Sequence, residues 1–294
     1  AILLELVDAG DEETPQALID QIASVLASCG ADPAFAAEAL RLPNESYLAD
    51  QMKIADPDAI HRVREAVRSK VGAALKPELL AVYQRMMDAG PYRIDGTAIG
   101  RRALRNTALA YLAAADQPLG VSLAMSQLEL RRNMTDVLAA LAVLTAIDCP
   151  ERASALASFY DGWRRDALVL DKWFAIQAVS PLPATLDSVQ ALTQHRDFDL
   201  KNPNRVRALI GSFSANQVRF HDASGAGYRL LADVIIRLDP LNPQVAARLV
   251  APLGLWRRFG PSRQASMQAE LHRILAVSTL SRNVHEMATR SLGV

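Results

Sequence analysis

Apolar residues recur at helical spacing from one end of this chain to the other, and prolines cut the recurrence into short pieces. Leu18, Ile22, Val25 and Leu26 share one helical face. So do Ile60, Val63, Val67 and Val71, and then Leu79, Leu80, Tyr83, Met86 and Met87. Breakers follow at Pro57, Pro77, Gly90-Pro91, Pro118, Pro150, Pro181, Pro183, Pro203, Pro240, Pro243 and Pro261. Asp56-Pro57, Asn202-Pro203 and Asn242-Pro243 each fit a small polar cap followed by proline at the first helical position. No segment sustains a two-residue alternation with β-branched enrichment. The expectation is an all-α chain of about 15 or more helices, paired antiparallel in an irregular α-α superhelix, a solenoid-like array. No fixed repeat of about 33 to 45 residues emerges. No linker tract divides the chain, so residues 1–294 are expected to form a single helical domain.

Composition narrows the function. Half of the 294 residues are apolar, enough for a sizeable core, and 32 basic residues balance 32 acidic ones. That balance argues against nucleic acid or an anionic membrane as the partner. Two cysteines, Cys29 and Cys149, make no disulfide framework and point to a reducing, cytoplasmic setting. No apolar run reaches the ~20 residues that span a bilayer. Ala1 to Val7 lack a basic n-region and a cleavage site, so no signal peptide is read. The opening reads as mid-helix, which suggests a fragment of a longer protein.

The five histidines, His61, His195, His221, His272 and His285, include no pair at metal-binding helical spacing. His285-Glu286 starts like a zinc-peptidase helix, but Thr289 stands where the second imidazole would. Gly225 and Gly227 read as turn residues, because the segment lacks the strand and third glycine of a dinucleotide loop. Trp163, Trp173 and Trp256 read as fillers between helices. In the helix after Pro203, Val206, Leu209, Ile210 and Phe213 form a buried stripe flanked by Arg205 and Arg207. Cations are disfavoured in a first helical turn. After Pro243, Gln244 and Arg248 share a face four residues apart. Such a pair suits a carboxylate; a solvated face is the alternative.

Longer stretches carry a resemblance. They are Asn133-Met134-Thr135-Asp136 running to Leu141, Leu168 to Phe174, Asn202 to Phe213, Phe220-His221 through Gly227-Tyr228, and Asn242 to Pro252. In order and spacing they resemble the C-terminal helical domain of the bacterial aminopeptidase N (alanyl aminopeptidase) family of zinc metallopeptidases. The likeness runs from about Asp32 to the end. It implies a parent enzyme that removes N-terminal amino acids from peptides, with zinc and the catalytic residues in an upstream domain of the same polypeptide. It implies that this chain holds no cofactor or catalytic residue of its own, caps that active site and lines the substrate chamber. By matched motif, Arg207, Gln244 and Arg248 would face peptide substrates there. Without such a parent, the chain would be a free-standing helical scaffold for a protein partner.

Overall fold

The computed structural model describes residues 2–87 and 90–293. It is 73% helical. Among the described residues there is no strand, only an isolated parallel bridge between Ala55 and Phe259. No described helix is long and apolar enough to cross a membrane. The all-α expectation therefore holds. The chain gathers into two compact units: Ala1–Asn44 with Ala59–Phe159, and Glu45–Asp58 with Tyr160–Val294.

The first unit is built around the helix Gly96–Ala115. Pro33–Ala39, Lys76–Arg85, Gln117–Leu130 and Met134–Ala146 all pack on it. Leu104, Ala108, Leu109 and Leu112 on this helix are fully buried. A polar knot ties the same neighbours together. Asn133 caps the last of these helices, accepting from the Asp136 backbone N–H at 2.9 Å, and its amide donates to the Asp136 carboxylate at 3.0 Å. Asp136 also accepts from Asn106 at 3.0 Å and pairs with buried Arg105 at 3.4 Å. Gln127 donates to Asn106 at 2.8 Å and to the Asp136 carbonyl at 2.9 Å. Arg105 reaches on to the Tyr83 hydroxyl at 3.1 Å and lies over its ring. The Asn133-Met134-Thr135-Asp136 motif thus closes a helix end and seats a buried carboxylate among four helices.

In the second unit, Ala226–Leu238 buries Tyr228, Leu231, Ala232, Ile235 and Leu238. It packs against Pro243–Leu249 and Pro261–Leu275, and Arg282–Leu292 packs on both of those. Buried Asp239 accepts from the Ser281 N–H at 2.7 Å and from the Ser281 hydroxyl, while Ser281 caps the last helix. Ala167–Ala178 packs on Thr185–Leu192 and on a π-helical turn, Arg207–Gly211. Glu45–Asp58 joins this unit through side chains and backbone. Ala55 N–H donates to the Arg258 carbonyl at 2.7 Å, and Arg258 pairs with Asp50 and donates to the Ala49 carbonyl.

Removing Asp136 would strand the buried Arg105 cation. We expect Asp136→Ala to cost roughly 3–5 kcal/mol of unfolding free energy. Glu38→Ala, which removes an exposed partner of Arg41, should cost no more than about 0.5 kcal/mol. Urea midpoints of the two variants check both values.

Candidate functional site

The family resemblance implies that Arg207, Gln244 and Arg248 face substrate, and all three lie in the second unit. The cap and proline that begin their helices are formed as expected. Asn202 accepts from the backbone N–H groups of Asn204 at 3.0 Å and Arg205 at 3.4 Å, and Pro203 follows as the first helical residue. Asn242 accepts from Val245 N–H at 3.2 Å ahead of the helix Pro243–Leu249. Asp56 likewise accepts from Asp58 N–H at 3.1 Å.

Val206, Leu209, Ile210 and Phe213 form the buried stripe. The helix does not run straight through it. At Arg207–Gly211 the turns widen to π geometry, a feature that recurs at functional sites. The two flanking arginines diverge. Arg207 is exposed, and its guanidinium donates to Asn204 Oδ1 at 3.0 Å. Arg205, expected on the opposite flank, is buried at 6% exposure. It pairs with Asp171 at 2.9 Å and lies 5.0 Å over the Phe174 ring. The partner acid offsets the cost of taking a cation out of water. Periodicity did not reveal this pair, because Asp171 sits on a different helix.

Gln244 and Arg248 are both exposed, while Val245, Ala246, Ala247 and Leu249 are buried. The pair therefore presents one polar face, one turn apart. Among the described residues no acid or hydrogen-bond acceptor engages the Arg248 guanidinium, so its planar fork remains available to a carboxylate. Arg207 stands on a separate helix, packed on Ala167–Ala178, whereas the Gln244–Arg248 helix packs on Ala226–Leu238 and Arg282–Leu292.

His285 and Glu286 are exposed on the last helix, with Val284 and Ala288 inward. Thr289 offers no imidazole, so this segment does not fit a catalytic zinc. Of the two glycines read as turn residues, Gly225 is one: its φ of 66° is left-handed, and it precedes the helix Ala226–Leu238. Gly227 is not. It lies inside that helix, where an added Cβ would stand 2.5 Å from the Phe220 carbonyl oxygen. Close packing on Phe220 sets that glycine. Trp173 fills an aromatic cluster with Tyr160, Phe174 and His195, while Trp163 is 40% exposed.

His221 gave no signal in the sequence beyond its place in a matched stretch. It is buried, with Nδ1 2.9 Å from the Tyr228 hydroxyl and its ring against Phe259 and Phe220. Its backbone carbonyl accepts from Arg263 at 2.7 Å. Burial, helped by the Arg263 cation, pushes the imidazole down to about 3, so the ring is neutral.

Comparison with known proteins agrees with the motif reading. A family model described as a domain of unknown function (DUF3458_C) of ARM repeats matches residues 1–293. Aminopeptidase N of Caulobacter vibrioides is 43% identical over 293 residues, 99% of this chain and 34% of the relative. Aminopeptidase N of Escherichia coli is 39% identical over 279 residues, 95% of this chain and 32% of the relative. A crystal structure of Legionella pneumophila aminopeptidase A in complex with aspartic acid superposes with a TM-score of 0.91 at 30% identity, covering 99% of this chain and 35% of that one. The chain thus spans about a third of the length of the relatives it matches.

The His221 environment sets a pH dependence. An unfolded histidine binds its proton near pH 6.5, and the folded one only near 3. Between those values the unfolded state holds the extra proton. Stability from this group is therefore intact above pH 6.5 and falls as the pH drops toward 3, by about 1.4 kcal/mol per unit. His221→Gln should remove this part of the acid slope. Urea unfolding of both proteins at pH 7, 6, 5 and 4 checks it.

Proposed function

The chain belongs to the DUF3458_C family of ARM-repeat domains, and on that premise we propose that it is the C-terminal domain of an aminopeptidase acting on peptides. The family match runs through both compact units, which supports treating residues 1–294 as one functional domain. In this reading the catalytic residues and their zinc lie upstream in the same polypeptide. The metal there supplies the Lewis acid and activated water of peptide hydrolysis. This domain caps the active site and contributes one wall of the substrate chamber. Free Cys29 and Cys149 suit a cytoplasmic location.

Arg248 carries the substrate-binding part of the proposal: an exposed guanidinium with no acid partner among the described residues, one turn from the amide of Gln244. Arg248 would hold the C-terminal carboxylate of a short peptide through charge-assisted hydrogen bonds, and Gln244 would add a neutral donor. Arg207, fixed in direction by Asn204, would extend the same polar wall. A group held only by its far end is positioned rather than activated, so these side chains influence which peptides are cleaved, not the bond-breaking step.

The test is made in the full-length polypeptide. Arg248→Ala should lower kcat/KM for di- and tripeptides about tenfold, the low end for a charged hydrogen bond in a wet, screened setting. Cleavage of an alanyl anilide, which has no carboxylate, should change less than about twofold. Gln244→Ala should show the same selectivity more weakly. Equal losses on both substrates would assign Arg248 a structural role and defeat the carboxylate reading.

A further inference from the structure

A cleft of about 400 Å³ in the second unit has no part in the reading above. His221 lines it, although the residue is only 3% exposed. The ring is held in one tautomer by its neighbour. Tyr228 is fully buried, and its hydroxyl has no partner among the described residues other than His221 Nδ1, at 2.9 Å. A buried phenol must place its hydrogen, so it donates to Nδ1. In a neutral imidazole whose Nδ1 accepts, Nε2 carries the proton. That Nε2 has no hydrogen-bond partner among the described residues. The side chain is 3% exposed and lines the cleft, so this unmatched N–H donor is available to an acceptor that enters there.

The remaining lining defines what would fit. Pro252, Leu255 and Phe259 supply apolar wall. Arg258 and Asp50 also line the cleft but pair with each other, and Arg258 donates to the Ala49 carbonyl at 2.7 Å. Arg263, the cation nearest His221 in effect, is paired with Asp58 at 2.5 Å. The charges around the donor are therefore balanced, and nothing in the lining favours an anion over a neutral acceptor. We propose that this cleft binds a small neutral ligand that offers an amide carbonyl oxygen to His221 Nε2–H and lays an aliphatic group against Pro252, Leu255 and Phe259. The site is separate from the Gln244–Arg248 face and does not depend on the aminopeptidase reading.

N-acetyl-leucinamide is the probe, and isovalerate is its anionic counterpart. Saturation-transfer NMR with the full-length polypeptide should show saturable binding of N-acetyl-leucinamide, with a dissociation constant of about millimolar order for a ligand of this size. Ala215→Trp and Ala251→Trp replace two exposed residues of the lining and fill the cleft. Each should weaken that binding at least about tenfold while leaving far-ultraviolet circular dichroism unchanged. Isovalerate should bind at least about tenfold more weakly than the amide. The proposal is overturned by absent saturable binding to the unmodified protein, by unchanged binding to either folded tryptophan variant, or by isovalerate binding as tightly as the amide. Should both variants unfold, the two probes on the unmodified protein still decide.

Discussion

A chain made of many short helices has many helix ends: each start leaves four N–H groups, and each finish four carbonyls, without intrahelical partners. At many of the starts a short acceptor side chain takes one or two of those N–H groups. Asp32, Asp95, Asp116, Asn133, Asp166, Asn202, Asn216, Asn242 and Ser281 each accept from a backbone N–H at the start of a helix. Each such cap contributes about 1 kcal/mol. Some do more than close an end. Asn133 also orients Asp136, and Asn216 donates to the carbonyls of Ala178 and Ser180 at 3.1 and 2.8 Å. Where such a cap forms, it helps fix where the helix starts, and so which residues point inward and which are left on the surface.

That constraint separates the roles of neighbouring arginines. Arg205 and Arg207 follow the same cap, yet one is neutralised in the core by Asp171 and the other stays in water beside Asn204. Arg248 follows a second cap and has no internal partner among the described residues. An unpaired cation on a rigid, well-capped helix is suited to receive a ligand's charge, because its position is set by the buried row of Val245, Ala246 and Leu249 rather than by a loop.

The helical character and three of the helix starts were legible in the sequence because they depend on local chemistry: the 3.6-residue period and the steps Asp56-Pro57, Asn202-Pro203 and Asn242-Pro243. The buried stripe Val206, Leu209, Ile210 and Phe213 was legible for the same reason. Features built from residues far apart were not. Arg258 meets Asp50 across 208 positions, and with that contact the Glu45–Asp58 segment joins the second unit. The burial of Arg205 depends on Asp171, and the role of Gly227 depends on how closely its helix approaches Phe220. The candidate site lay between these cases. Spacing put Gln244 and Arg248 on one face but left a carboxylate site and a solvated face open. Family resemblance, not periodicity, added Arg207 and gave the three a shared purpose.

In the proposed function this chain works against the rest of a longer polypeptide. The most direct measurement is sedimentation velocity of this chain mixed with the separately produced region that precedes it in the parent polypeptide. The account predicts a one-to-one complex at micromolar concentration, with cleavage of tripeptides raised when the two are combined. Two components sedimenting independently, with tripeptide cleavage unchanged by mixing, would contradict it and favour a free-standing helical scaffold.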